Sequence, residues 1–316
     1  MRMAARGTCA YLWRVIHVVH HPDYVTQGPA RSTYRWGKNG AIRDILRDGG
    51  DAVRWHVPEP VAVGYLEAVH TPGYVAEVLA AAVPPEKERR IGFAVTDQVA
   101  RRARVVPGGT LLAARLAIEH GFAANTAGGS HHALADTGAG YCVFNDLAVA
   151  AARLLGEGHR VLVVDCDVHQ GDGTAALLEG YAGCATYSIH AAKNFPVRKA
   201  RSTLDVALPD DVGDDAYLAA LETSLVPLLD GFAPDVVLYQ AGVDPFAGDR
   251  LGRLALSEEG LVARDRLIGG LMATRGLPIA STVGGGYGDD TLAIARRHVR
   301  AIMTLGETIA RARHLG

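Results

Sequence analysis

Short apolar runs alternate with longer amphipathic segments along most of this chain. Residues 161–167 are continuously apolar up to an acidic end, which is typical of a strand buried on both faces of a parallel sheet. Further strands are predicted at residues 15–19, 52–57, 184–190, 235–241 and 278–283. Helical periodicity predicts helices at residues 111–120, 146–155, 214–229, 258–274 and 290–312.

This alternation predicts an α/β protein with a single-domain three-layer fold, in which a central, mainly parallel sheet is flanked by helices. We find no internal repeat and no interdomain linker. Two segments are predicted to be irregular. Residues 84–90 form a charged loop containing proline, and residues 191–208 form a long segment with several basic residues. Loops of the second length are often functional.

Composition narrows the choice of partners. The net charge is -2 and the isoelectric point is about 6.7, so we expect neither nucleic acid nor an anionic membrane as a partner. No run reaches the roughly 18 apolar residues that a membrane helix requires. The four cysteines include no C-x-x-C pair, which argues against a disulfide framework and favours a reducing, cytoplasmic location.

Polar and glycine-rich residues follow several predicted strands. Ligands of parallel α/β sheets bind at the carboxyl ends of the strands, so these residues are candidates for a site. A further short apolar stretch near Ala123 also leads into such residues. The segments are His20-His21, Gly128-Gly129-Ser130-His131-His132, residues 165–172, residues 241–244 and residues 284–287.

Asp165, Asp167 and His169 alternate in sequence, so on an extended strand their side chains share one face. Burying two carboxylates together costs several kcal/mol per charge unless a cation compensates. A divalent metal supplies that compensation, and Asp244 from another strand end offers a further ligand. The alternative is a solvated turn in which Asp172 caps a helix. The whole octapeptide, taken with the other strand ends, favours the metal.

Adjacent histidines are a weak signal alone, but beside a metal His131 and His132 become candidate acid-base groups. Each would need an orienting acceptor, and Asp165 and Asp172 are available. Tyr287 follows three glycines and either packs at a turn or donates a hydrogen bond to an oxyanion. No Walker lysine follows these glycines, which argues against a phosphate loop.

Four segments of this chain resemble those of the histone deacetylase-like amidohydrolases of the arginase/deacetylase fold. They are GGSHHALADTGAGYCVFND, VDCDVHQGDGT, YQAGVDPFAGDRLG and VGGGYGDD. The similarity runs from about His21 to the C-terminal helix. Gln170 stands where class I and class II enzymes have a second histidine, a form more similar to the class IV branch and its bacterial relatives. The resemblance implies an N-terminal extension plus first strand at residues 1–20 and a catalytic domain at residues 21–316.

The resemblance also implies a Zn²⁺ ion, or Fe²⁺, held by Asp167, His169 and Asp244. His132 would then act as general base and later as acid, and His131 would stay largely protonated. By the same resemblance Asp172 would orient His132 and Asp165 would orient His131, while Tyr287 would polarise the acyl carbonyl. Residues implied to bind substrate are Gly140, Tyr141, Gly285 and Gly286. A structural K⁺ is implied at Asp165, Asp167, His169, Ser188 and Ile189.

The implied reaction is zinc-dependent hydrolysis of an acyl amide, above all deacylation of N-ε-acyl-lysine in a peptide or protein. Two alternatives stay open: an amidohydrolase of small acylated amines such as acetylpolyamines, and a weakly catalytic acyl-lysine binding protein. A two-manganese ureohydrolase would need more Asp and His ligands than the sequence offers. The early loop at residues 31–38 departs from the family pattern, and Arg35 and Trp36 are predicted to narrow or charge the entrance. Acyl-chain preference and oligomeric state stay open.

Overall fold

The computed structural model describes residues 15–28 and 32–312. Within those ranges one eight-stranded sheet forms the centre, and all its neighbouring strands are parallel. The strands are β1 (Ile16–Val19), β2 (Val53–His56), β3 (Phe122–Asn125), β4 (Val161–Asp165), β5 (Cys184–Ala191), β6 (Leu204–Leu208), β7 (Val236–Gln240) and β8 (Ile279–Thr282). Their order across the sheet is β2-β1-β3-β8-β7-β4-β5-β6. The extension predicted before the first strand lies largely outside the described residues, as does Arg31 of the early loop.

Ten α-helices accompany the sheet in the described part of the chain. They are α1 (Lys38–Asp48), α2 (Val63–Glu67), α3 (Pro72–Leu79), α4 (Pro85–Ile91), α5 (Asp97–His120), α6 (Asp146–Gly156), α7 (Asp172–Leu178), α8 (Asp214–Phe232), α9 (Glu258–Thr274) and α10 (Thr291–Ala312). None of these helices combines the length and apolar character needed to cross a membrane.

The two faces of the sheet carry separate hydrophobic cores. On β4, Leu162 and Val164 join the core that contains residues of α1, α8, α9 and α10. Val161 and Val163 alternate with them and join the core that contains residues of α3, α5, α6 and α7. This period of two places apolar side chains on both faces of the strand. The result is the predicted three-layer arrangement, with the sheet in the middle.

Local sequence signals account for several helix ends. Ser257 caps α9, since its hydroxyl accepts a hydrogen bond from the amide of Gly260 at 2.9 Å. Gly121 ends α5 in a backbone conformation with φ of 91°. The start predicted for this helix, residue 111, is wrong because α5 begins at Asp97, where Thr96 provides the cap. Pro107 lies inside the helix, and because proline normally interrupts a helix, the sequence pattern predicts a start after it.

Both segments predicted to be irregular contain regular structure. The prediction of a loop at residues 84–90 is wrong, because this segment forms α4. Pro85 occupies the first turn, where the missing N–H of proline costs nothing, and Gly92 closes the helix with φ of 99°. In the segment 191–208, the last five residues form β6, which pairs with β5 at the edge of the sheet.

Four of the predicted strand ends meet at one edge. In the sheet order, β3, β8, β7 and β4 are consecutive. The segments that follow them are the double histidine, the triple glycine, Asp244 and the D-x-D-x-H sequence. The parallel direction therefore gathers these four segments at the carboxyl edge of the central strands.

Candidate active site

Three buried ligand atoms meet just beyond β4 and β7. The Nδ1 atom of His169 lies 2.9 Å from Oδ1 of Asp167 and 3.2 Å from Oδ2 of Asp244. All three ligand atoms lie within 4.8 Å of one another, and the three residues are buried. The structure thus brings together the three predicted metal ligands from two strand ends.

The geometry of this cluster suits a divalent metal ion. Zinc binds Asp oxygen and His nitrogen at about 2.0–2.2 Å, so its ligand atoms lie roughly 3 to 3.6 Å apart. The other carboxylate oxygen of Asp167 accepts hydrogen bonds from the side chain of Gln240 at 2.7 Å and the amide of Gly285 at 2.8 Å. Oδ2 of Asp244 is buried and, beyond its ionic contact with His169, accepts no hydrogen bond from the described residues. Such an orphaned carboxylate oxygen beside two other ligands calls for a cation.

The charges of the metal-free cluster support the same conclusion. Burial, followed by the negative charge of Asp167, raises the pKa of Asp244 to about 7. Burial alone would lower the pKa of His169, but its hydrogen bond to Asp167 and the nearby carboxylate of Asp244 outweigh burial and raise it to about 10. The metal-free cluster therefore retains protons at neutral pH, and a divalent cation would take their place.

The two histidines after β3 each contact a carboxylate. Nδ1 of His131 lies 2.6 Å from Oδ2 of Asp165, and Nδ1 of His132 lies 2.6 Å from Oδ1 of Asp172. Their ring centroids are 4.0 Å apart, and Nε2 of His131 lies 3.8 Å from the carboxylate of Asp167. Both rings are buried and both lie beside the candidate metal ligands.

The two histidines differ in protonation. Burial alone would lower the pKa of His131, but the carboxylates of Asp165 and Asp167 outweigh it and raise the pKa to about 9. Burial, and next the charge of His131, lower the pKa of His132 to about 4. At neutral pH one imidazole is therefore cationic and its neighbour is neutral. A neutral imidazole can accept a proton from water, and a cationic one can stabilise negative charge.

Asp146, to which the sequence analysis gave no role, holds the segment before the histidines. Its buried carboxylate accepts hydrogen bonds from the amide of Gly129 at 3.1 Å, the amide of Ser130 at 2.7 Å and the hydroxyl of Thr110 at 2.6 Å. Its position at the start of α6, after the Asn145 cap, was the available sequence signal. These bonds fix the backbone that carries His131.

Tyr287 also lies near the candidate metal ligands, after the glycines that follow β8. Its ring centroid is 6.2 Å from that of His169 and 5.7 Å from that of Tyr141. The Tyr287 amide donates a hydrogen bond to Asp249 at 2.6 Å, which anchors the turn. Burial raises the pKa of the Tyr287 phenol well above its usual value, so the hydroxyl keeps its proton and can act as a donor.

A cleft of about 480 Å³, including the open solvent at its mouth, leads to this centre. Gly140, Tyr141 and Gly285, three of the four residues predicted to bind substrate, line it. A side chain at Gly286, the fourth, would instead point toward Val243. Tyr141 holds a left-handed backbone conformation with φ of 68°. This conformation is uncommon for a residue other than glycine and is often found at functional sites.

Phe195 is an aromatic residue that the sequence analysis did not single out. Its ring meets the ring of His132 edge-on, with centroids 4.8 Å apart, although 44% of the residue is exposed. It lies in the segment after β5, and an exposed aromatic residue in a long loop was the available signal. Phe195 therefore provides an apolar contact for any ligand that approaches His132.

The early loop contributes to the cleft differently from the prediction. Tyr34 lines it, with its ring centroid 5.6 Å from that of Tyr141. Trp36 packs against Tyr34 and Phe93, with its ring centroid 4.8 Å from the ring centroid of each. Arg35 forms an ion pair with Asp289 at 2.9 Å, which offsets its charge. The aromatic side chains of this loop therefore shape the cleft.

Two further predicted positions lie next to β4. Asp165 and Ser188 are opposite each other in the parallel pairing of β4 with β5, so the residues predicted for K⁺ are neighbours, and the ion itself stays a prediction. Gln170 donates hydrogen bonds to the carbonyl of Ala200 at 2.9 Å and the carboxylate of Asp205 at 2.8 Å. Its amide therefore ties the segment after the metal ligands to the start of β6.

The chain is similar in sequence to proteins of one known family. The family model for the histone deacetylase domain matches residues 37–303. An uncharacterized protein of Picosynechococcus sp. is 42% identical over 285 residues, which are 89% of this chain and 95% of that protein. Histone deacetylase 2 of Arabidopsis thaliana is 34% identical over 200 residues, which are 62% of this chain and 52% of that protein, so the match spans about half of that relative.

Solved structures share the fold. An HDAC homolog complexed with SAHA superposes with a TM-score of 0.80 at 23% identity, covering 93% of this chain and 84% of that chain. The HDA15 HD domain gives a TM-score of 0.77 at 21% identity, covering 96% of this chain and 94% of that chain. The architecture is thus the three-layer arginase/deacetylase fold, with a candidate metal site at the carboxyl edge of its sheet. The chain belongs to the histone deacetylase family, as the resemblance of its motifs predicts.

Proposed function

We propose that this protein hydrolyses the side-chain amide of N-ε-acyl-lysine in peptides or proteins, with Zn²⁺ bound by Asp167, His169 and Asp244. Membership of the histone deacetylase family supports an amide-hydrolysing deacetylase. The observation that carries the proposal is one buried cluster, in which three ligand atoms lie beside two histidine–carboxylate pairs at the base of an aromatic cleft. The family match at residues 37–303 supports a catalytic domain, for which we propose the bounds 21–316.

The metal, when bound, would supply Lewis-acid activation of water and of the acyl carbonyl. Zn²⁺ fits the donor set, and Fe²⁺ is an alternative for the same ligands. Two aspartates offset the formal charge of the ion, so they weaken its effect on water compared with neutral histidine ligands. The protein must therefore contribute acid-base and hydrogen-bonding groups of its own.

His132 is neutral at working pH and is oriented by Asp172, so it takes a proton from the attacking water. It then delivers that proton to the leaving amine as the amide C–N bond breaks. His131 remains cationic beside Asp165 and steadies the negative charge that develops on the acyl oxygen. Tyr287 donates a hydrogen bond to the same oxygen, a contribution that is typically worth ~10²-fold in rate.

Turnover and metal content test the proposal together. The full chain, loaded with Zn²⁺ or Fe²⁺, is incubated with a fluorogenic acetyl-lysine peptide and, separately, with an acetylated polyamine. We expect one metal per chain and hydrolysis of the peptide. Asp167→Ala should lose metal and turnover while keeping its circular dichroism spectrum, and Asp48→Ala, on the exposed end of α1, is the matched control.

Three results would contradict the proposal in different ways. Turnover of the polyamine alone would assign a small-molecule amidohydrolase. Binding of the acyl-lysine peptide without turnover in metal-loaded protein would assign a binding protein. Full metal occupancy in Asp167→Ala would refute the ligand assignment.

A further inference from the structure

The cleft that reaches the candidate metal ligands is also lined by two cationic side chains. The same cavity is lined by Asp167 and Tyr287 and by Lys38 and Arg102, which come from α1 and α5. Lys38 is only 6% exposed, and its ammonium donates a hydrogen bond to the carbonyl of Gly284 at 2.7 Å. We call the part of the cavity around Lys38 and Arg102 the basic chamber.

Neither cation of the basic chamber has an anionic partner. Among residues 15–28 and 32–312, no carboxylate oxygen lies within 4.0 Å, the limit for an ion pair, of a side-chain nitrogen of Lys38 or Arg102. The guanidinium of Arg102 lies 5.7 Å from the ring centroid of Tyr34, and its buried Nε has no acceptor. Lys38 is buried and Arg102 is half-buried, and lysine and arginine are seldom removed from water without a paired anion. Lys38 has three donors and one acceptor among the described residues, and Nε of Arg102 has none, so both side chains retain capacity for a ligand.

The carboxylates of Asp244 and Asp167 act on Lys38 across the glycine loop. Burial lowers the pKa of Lys38 to about 8, while Asp244 and Asp167 act in the opposite direction. A divalent cation bound by these aspartates would offset their charge. The ammonium of Lys38 then has the neutral carbonyl of Gly284 as its hydrogen-bond acceptor among the described residues.

The chamber lies close to the reacting centre. The carbonyl of Gly284 accepts a hydrogen bond from the ammonium of Lys38 at 2.7 Å. The amide of the next residue, Gly285, donates a hydrogen bond to the carboxylate of Asp167 at 2.8 Å. Two hydrogen bonds and one peptide group thus join the ammonium to a metal ligand, a path of no more than about 8 Å. An acyl group whose carbonyl is at the metal site reaches Lys38 with roughly four or five carbons.

We propose that the basic chamber binds the terminal carboxylate of a short dicarboxylic acyl group, such as succinyl or glutaryl, on the substrate amine. This inference rests on the proposed function and names its acyl class. Water adds across the amide, the C–N bond breaks, and the products are the free amine and the dicarboxylic acid. The terminal carboxylate is unchanged in the reaction and serves only for recognition. A neutral acyl chain would fill the chamber without an anion for Lys38 and Arg102.

Two peptides of one sequence test this inference, one carrying succinyl-lysine and one carrying butyryl-lysine. Both acyl groups have four carbons, and they differ in the terminal charge. We expect the metal-loaded wild type to favour the succinyl peptide in kcat/KM. The succinyl-to-butyryl ratio should fall roughly ten- to hundredfold in Lys38→Met and in Arg102→Met, because each removes a charge-assisted contact. Arg102→Lys retains the charge and should keep the ratio within about threefold of wild type.

The variants separate recognition from structural support. Arg102 makes no hydrogen bond to the described residues, so Arg102→Met removes charge without removing a bond that supports the glycine loop. An unchanged ratio in Arg102→Met would overturn the inference. An equal loss for both peptides in Lys38→Met would also overturn it, since Lys38 would then only support Gly284.

A binding measurement distinguishes failure of this inference from failure of the proposed function. If neither of these peptides nor the acetyl-lysine peptide is hydrolysed, the proposed lysine deacylation fails, and calorimetry with free succinate and free butyrate then tests the chamber alone. Succinate binding that is at least tenfold tighter than butyrate binding, and lost in Arg102→Met, would support the chamber. Equal or absent binding of both acids would refute it, and hydrolysis of acetyl-lysine but not succinyl-lysine would refute it while leaving the proposed function intact.

Discussion

Replacement of Gly285 by alanine is a sharp test of the metal site. Gly285 lies in the turn after β8, and a Cβ atom there would lie 2.0 Å from Oδ2 of Asp244 and 2.6 Å from Oδ2 of Asp167. Both residues are proposed metal ligands. The backbone of Gly285 does not have a left-handed φ, so alanine introduces no backbone strain and the added methyl group is the whole perturbation.

The size of the effect follows from these distances. An ordinary contact of a Cβ atom is at least 3.4 Å, so the Asp244 carboxylate must move by about 1.4 Å to accommodate the methyl group. Metal sites tolerate deviations of about 0.2 Å in ligand distance. Changes in residues that only orient ligands already cost 10- to 100-fold in metal affinity. We therefore expect Gly285→Ala to lose at least ~100-fold in metal affinity and to be inactive at equal total metal.

Gly288→Ala is the matched control. It lies three residues further along the same turn, and its added Cβ would meet only Ile294, at 3.7 Å. Metal affinity is measured by competition with a chelator of known strength, and folding by circular dichroism and thermal unfolding of the metal-free proteins. Near wild-type metal affinity in a folded Gly285→Ala protein would refute the ligand geometry. Equal loss in Gly288→Ala would show that the turn itself, and not the methyl contact, controls metal binding.

Three further predictions follow from the same structure. Tyr287→Phe should keep its metal and lose on the order of 10²-fold in kcat, because the phenol donates to the acyl oxygen only as negative charge develops there. A wild-type kcat in this variant would show that Tyr287 only packs against its neighbours. A hydroxamate should inhibit metal-loaded protein at low concentration by chelating the metal, and failure against active enzyme would indicate a closed cleft or different chemistry. Burial lowers the pKa of His70 to about 4, and neutral His70 accepts from the amide of Asn145 at 3.0 Å. Its folded pKa lies below the unfolded value of about 6.5, so its stability contribution should fall as pH drops from 6.5 to 4. Urea unfolding of metal-free protein should show wild type losing up to about 3 kcal/mol more than His70→Gln over that range, and equal losses would contradict this.

The sequence by itself determined those elements whose predictive signals, such as caps and apolar spacing, lie within or directly beside the element. The predicted helix at residues 258–274 matches α9, because Ser257 caps it and the apolar positions recur at helical spacing. Asp165, Asp167 and His169 could be grouped from sequence because they are two residues apart in one segment. The strand before them is recognisable since burial on both faces leaves a continuous apolar run.

Elements with conflicting local signals were harder to predict. The segment of α4 contains Pro84 and Pro85 and five charged residues in succession, which are typical of a loop, yet proline fits a first helical turn. The short β6 carries little apolar pattern because it is an edge strand, and its pairing with β5 defines it. Pro107 similarly concealed the first half of α5. In each case the competing signals could be weighed only with the neighbouring elements in place.

Tertiary structure alone decided which strand ends meet. Periodicity identifies a strand but not its neighbours, and the order β3-β8-β7-β4 depends on how helices from distant parts of the chain cover both faces. That order places Asp244 3.2 Å from His169, a contact that the family resemblance implied but spacing could not show. It also brings Lys38 and Arg102, from two helices on opposite faces of the sheet, to one cavity. Neither residue has a local signal for ligand binding, because an unpaired cation is unusual only once the fold has removed it, wholly or in part, from water.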